Sequence, residues 1–251
     1  MRQFALLNSI GETYMLNDLN NFMHEPSGLG FMRNTTFIKL GDRFEVQKDA
    51  FEQATPRGQI CFKDQKNSPA YEKYAKFVIF LQKTPLKLVY ESDRVHHMDV
   101  IPESLEKTEI SKPLGLDVSI SFRALSMWYD EVEAVGTDQV VIISESIRES
   151  PLELIIKGPI NAPIWTQQVN GVQIATGKVS ANIPEGSTLH VRTDTNPYQI
   201  YEETSGVKID LYSSSDFSTE RFLYVKNGVN LISCAGASQL KAIGRILYET
   251  V

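Results

Sequence analysis

Helical periodicity occurs once in these 251 residues, and the rest of the fold has to be built around that one helix. Ala70, Tyr74, Phe77, Val78 and Leu81 fall at i, i+4, i+7, i+8 and i+11, a single apolar stripe, with Glu72 and Lys76 as an i,i+4 pair beside it. Ser68-Pro69 opens the segment as a capping residue followed by proline at the first helical position, and Pro85 stops it. Such a stripe packs on a sheet, so the remaining core must come from strands.

Strand signals are abundant. Thr35–Leu40 and Arg43–Val46 flank Gly41-Asp42 and predict a hairpin over 36–46; Gly58–Phe62, Leu86–Tyr90, Val95–Ile101 and Leu116–Phe122 follow. The last alternates Val118, Ile120 and Phe122 with Ser119 and Ser121, so one face is buried and the other meets something polar. From about Gly136 the texture changes to short strands with frequent turns. Asn170-Gly171 and Asn227-Gly228 fit type I′ turns, and Pro184-Glu185-Gly186-Ser187 is a reversal. The reading is an α+β first domain, mainly β with one helix, over 1–133, and an all-β sandwich over 134–251.

Lys and Arg number 25 against 31 Asp and Glu, a net charge of −6, with no basic patch, so phosphate-driven binding of nucleic acid is not expected. No apolar run approaches the roughly 20 residues needed to cross a bilayer. The first eight residues lack a signal-peptide core and cleavage site, and two free thiols point to assembly in a reducing cytoplasm. Cys61 and Cys234 are too few and too far apart in sequence for a disulfide framework, and read as free, buried thiols.

Motifs for catalysis, metals and cofactors are missing: no HExxH, paired CxxC, Walker loop, GxGxxG after a strand or GxSxG elbow occurs. His96 and His97, adjacent on a strand, point to opposite faces. Catalytic, metal and cofactor sites are therefore all read as none. Trp165, Tyr198 and Tyr201, read as lying in or beside loops near His190, Arg192, Asp194 and Asn196, combine aromatic faces with hydrogen-bonding groups as a sugar ring requires. The alternative is that these aromatics fill a core.

Several segments together carry a family resemblance: Gly28-Leu29-Gly30-Phe31, Thr35–Gly41, Gly58–Lys63, Pro85–Tyr90, Glu106–Ile110 and Ser126-Met127-Trp128-Tyr129. In these the chain resembles the distal tail proteins (Dit) of siphophages of Gram-positive bacteria, those of lactococcal phages in feel. The resemblance implies a ring-forming N-terminal belt domain followed by a galectin-like β-sandwich. It also implies a homo-hexameric hub of the virion's tail tip or baseplate. That hub would join the tail tube protein above to the tail-associated fibre or lysin protein below, and would anchor a peripheral baseplate or receptor-binding protein for host attachment. His190-Val191-Arg192 and Trp165 do not sit in the sugar-binding pattern of true galectins. Ring contacts need two complementary patches, for which exposed hairpins and strand edges are natural donors. Phe37, Lys39, Arg43 and Phe44 of the hairpin and Ser119 and Ser121 of the alternating strand are the candidates. The alternative function is a carbohydrate-binding module recognising host wall saccharide through Trp165, Tyr198 and Tyr201.

Overall fold

The structure is a computed structural model that describes residues 3–30, 32–64, 69–109, 115–146, 148–216 and 218–248. The chain divides into two compact units, one formed by residues up to Tyr129 and again from Tyr248, the other by Asp130–Leu247.

In the first unit β1 (Gln3–Leu7), β2 (Thr13–Met15), β3 (Asn21–Ser27), β4 (Met32–Leu40), β5 (Arg43–Glu52), β6 (Arg57–Lys63), α1 (Ala70–Leu81), β7 (Leu86–Glu91), β8 (Val95–Glu109) and β9 (Gly115–Ala124) follow in order, and β10 (Trp128–Gly136) begins there. The long β8 is shared between two strand arrays, β8-β7-β1-β2 and β8-β9-β6-β3. Its Val95–Val100 half pairs with β7 and its Val100–Glu109 half with β9, across a bulge between Pro102 and Ser104. Pro102 cannot donate to a ladder, which is why the irregularity falls there.

The predicted stripe of α1 lies against β6 and β9. Phe77 meets Phe62 at 5.6 Å and Tyr14 at 4.8 Å, and Leu116, Val118, Ile120 and Phe122 complete the floor of this core. Ser68 lies outside the described residues. Pro69 takes the cap position rather than the first helical one, and the Asp64 carboxylate accepts the Ala70 N–H at 2.8 Å, placing negative charge at the helix start.

β1 is a strand that the sequence patterns do not predict. Its residues 4–6 are all buried, so no alternation announces it, yet it pairs with β7 on one side and β2 on the other. The Gly28-Leu29-Gly30 motif has a local reason. Gly28 has φ +68°, and a Cβ there would come within 2.1 Å of the Thr55 carbonyl oxygen, so only glycine fits. The next carbonyl, that of Leu29, accepts the buried Trp128 indole N–H at 2.6 Å. Phe31 and Ile110 lie outside the described residues. Tyr248 joins this unit's core, edge-on to His96 at 5.1 Å.

The second unit continues β10 and adds β11 (Gln139–Ser144), β12 (Ser150–Lys157), β13 (Ile160–Asn161), β14 (Ile164–Val169), β15 (Val172–Lys178), β16 (Asn182–Ile183), β17 (Thr188–Arg192), β18 (Gln199–Thr204), β19 (Val207–Asp210), β20 (Tyr224–Val225), β21 (Gly228–Ser233) and β22 (Gln239–Tyr248). One array runs β19-β18-β17-β12-β22-β10 and the other β11-β21-β14-β15. Leu154, Ile156, Leu189, Val191 and Ile200 of the first and Ile142, Trp165, Ala175 and Ile232 of the second share one core. This is two-layer β architecture, as the run of short strands and frequent turns predicts.

The Asn170-Gly171 turn forms with both residues in the left-handed region, φ 51° and 82°. The Asn227-Gly228 expectation is corrected. Only Gly228 has positive φ, and β20 and β21 do not pair with each other. The segment is held instead by the buried Asn230, whose Nδ2 donates to the carbonyls of Lys226 at 2.7 Å and Gly228 at 3.2 Å while its Oδ1 accepts from Lys226 N–H at 3.0 Å. A fully buried amide with satisfied bonds outweighs a local turn preference.

Candidate functional site

The hairpin of β4 and β5 is a two-stranded sheet that pairs with no other strand among the described residues. Opposite residues share a face. Phe37 opposes Val46 and Lys39 opposes Phe44, whereas Ile38 opposes Glu45 and Leu40 opposes Arg43 on the other side. Phe37, Phe44 and Val46 are 59%, 68% and 58% exposed, so none of the described residues of this unit covers that face. Three of the sequence candidates, Phe37, Lys39 and Phe44, thus lie together. Arg43 points away and pairs with Glu45 at 2.9 Å in solvent. An isolated hairpin is marginal in water, and a cluster of exposed aromatic and aliphatic side chains marks a contact surface.

Ser119 and Ser121 sit on the outer face of β9, half-buried, and the Ser121 hydroxyl meets Ser104 at 2.7 Å. With Glu25, Ser27, Arg57, Gln59 and Glu106 they line a shallow polar groove of about 330 Å3. On the same face Cys61 stands opposite Asp117. Partial burial, and then the Asp117 carboxylate, push the Cys61 thiol above its ordinary value. That makes it a poor nucleophile at neutral pH. His24 lies 3.9 Å from Asp117. Among the described residues no group of three His, Cys, Asp or Glu side chains could hold a metal ion.

The aromatic candidates of the second unit part company. Trp165 is fully buried, and the placement in or beside a loop is corrected: it lies on β14 opposite Gly177, where a Cβ would stand 2.1 Å from the indole ring, and its Nε1–H donates to the Arg221 carbonyl at 2.8 Å. It has no surface left for a ligand. Tyr198 and Tyr201 do reach one concavity, together with Gln199, Lys208, Asp210 and Tyr212. Lys208, Asp210 and Tyr212 were missed because the β18-β19 pairing, not sequence proximity to Tyr198, brings them there. The signal was Ser205-Gly206, a turn pair between two strand-like runs. Arg192 binds Asp194 through two nitrogens, at 2.9 and 2.6 Å, which holds the Asp194 carboxyl below the usual range.

Comparison with known proteins bears on the family and the fold. Residues 3–125 match the family model of the distal tail protein, N-terminal domain. Over the whole chain the fold is similar to a chain in the structure of the phage P2 baseplate in its activated conformation with Ca, at 13% identity and a TM-score of 0.74, covering 100% of both chains. The same values hold for the phage p2 baseplate in its activated conformation with Sr. The crystal structure of the SPP1 Dit protein, described as a paradigm of hub adsorption apparatus in phages infecting Gram-positive bacteria, is similar at 9% identity and a TM-score of 0.70, covering 98% of this chain and 99% of that one. By sequence, no curated protein matches the chain.

Proposed function

We propose that this chain, which belongs to the distal tail protein family through residues 3–125, is the structural hub of a phage tail tip or baseplate. In this reading six copies close into a ring through residues 1–133. Residues 134–251 form a galectin-like sandwich that projects outward. The ring joins the tail tube protein to the tail-associated fibre or lysin protein, and the outward units anchor peripheral baseplate proteins. The role is mechanical and uses no catalytic group.

The hairpin carries this reading. An unpaired two-stranded sheet with Phe37, Val46 and Phe44 in solvent is costly for an isolated subunit and useful to an assembling one. Burying one such side chain contributes about 1.5–3 kcal/mol, and repetition around a ring multiplies the contact without a larger interface per subunit. The β9 groove, which holds Ser119 and Ser121, is the second patch in this reading. Its lining includes Glu25 and Glu106 against Arg57, a surface with no surplus of positive charge to hold DNA phosphate.

Negative-stain electron microscopy of the purified protein tests the reading. Closed rings with six subunits are expected; a field of isolated subunits would contradict it.

A further inference from the structure

The second unit holds a concavity beside the β18-β19 pair. Its volume is about 600 Å3, within the range of about 300–1,000 Å3 found for ligand pockets. The Ser205-Gly206 turn, with φ 51° and 82°, folds β19 back on β18 so that Tyr201 stands opposite Asp210 and Glu203 opposite Lys208.

Its aromatic walls are already fixed. Tyr198 leans on Phe222 with ring centres 4.9 Å apart, and its hydroxyl accepts from the Tyr224 hydroxyl at 2.9 Å. Tyr212 stacks on the same phenylalanine at 6.2 Å, and the Arg221 guanidinium donates to its hydroxyl at 3.0 Å. Tyr201 lies flat on His190 at 4.7 Å, and His190 is itself tied to Glu153 at 2.9 Å and Thr188 at 3.0 Å. The Lys208 ammonium sits 4.5 Å over the Tyr201 ring.

We propose that this concavity binds a neutral oligosaccharide. A sugar ring offers an apolar C–H face and a rim of hydroxyls that both donate and accept. Tyr198 and Tyr212, each partly exposed, present rings for the face, while Asp210 accepts and Lys208 and Gln199 donate to the rim. The lining has one cation and one anion, so its charge favours neither a phosphate nor a polycation. A purely apolar ligand would strip water from Lys208 and Asp210 with no compensating bond. Because packing already holds the tyrosines in place, binding orders few side chains, which is what a weakly hydrophobic ligand needs. The site stands on the second unit alone and survives or fails independently of the hub reading.

The test uses the full-length chain titrated with lactose, cellobiose, maltotriose and N,N′-diacetylchitobiose, read by saturation-transfer NMR and calorimetry. At least one is expected to bind saturably with Kd of roughly 0.1–10 mM. Asp210→Asn and Tyr212→Ala should each weaken it by about tenfold, as loss of a central contact does, Asp210→Asn, a surface change, at unchanged melting temperature. Phe44→Glu should leave the affinity unchanged. Absence of binding by all four sugars at about 20 mM, or binding that neither Asp210→Asn nor Tyr212→Ala weakens, would overturn the proposal.

Discussion

The hairpin β4-β5 and the strand β9 were both candidates for contact with a neighbouring copy, and they differ in where their apolar side chains point. On β9 the alternation is resolved inside the unit: Val118, Ile120 and Phe122 are buried under α1, and the serines face outward. On the hairpin Phe37, Phe44 and Val46 find no core at all. The lesson is that the same period-2 pattern can mean a finished sheet or one awaiting a partner. Burial, not alternation, decides which.

The largest effect separates the two regions within the monomer. Phe122→Ala on β9 empties a fully buried site and is expected to cost about 3–5 kcal/mol in urea denaturation, whereas Phe44→Ala on the hairpin should cost less than about 0.5 kcal/mol in the same experiment at low protein concentration. Equal losses would erase the distinction. Next comes a pair of charges on the apolar face. Phe37→Glu with Phe44→Glu should leave the melting temperature of the dissociated subunit within a few degrees while abolishing self-association.

Thiol chemistry sharpens the comparison further. A Val46→Cys variant should react rapidly with a disulfide reagent as a dissociated subunit and be protected on assembly. Cys61, beside Asp117, should react slowly in both, its rate climbing only as pH passes above the ordinary thiol value of 9.0. The sign for stability follows. The fold favours the neutral Cys61 thiol, so the contribution is complete below pH 9.0 and is lost as pH rises through the higher folded value. Stability that rose with pH in this window, relative to Cys61→Ala, would contradict that environment. The smallest effects are Ser121→Ala and Arg43→Ala. Each should change stability by no more than about 0.5 kcal/mol, since one loses an exposed hydroxyl pair and the other an exposed ion pair.

Much of this was legible in the sequence where the causes are local. The stripe from Ala70 to Leu81, the Gly41-Asp42 hairpin and the Asn170-Gly171 turn each depend on neighbours within a few residues. What was not legible depends on distant partners. β1 is buried through pairing with β7 and so shows no alternation. Trp165 follows Pro163 and looks like a loop residue until Gly177 makes room for its ring. The tyrosine concavity needs β18 and β19 paired before Tyr212 comes near Tyr198.

The central claim is that the hairpin face is what joins copies of this chain. Light scattering on size-exclusion peaks of the wild type and the Phe37→Glu, Phe44→Glu double variant tests it most directly. Six copies of a 28.3 kDa chain amount to about 170 kDa. The account predicts that mass for the wild type and a single-subunit mass for the variant; a wild type that stays monomeric, or a variant that keeps the wild-type mass, would contradict it.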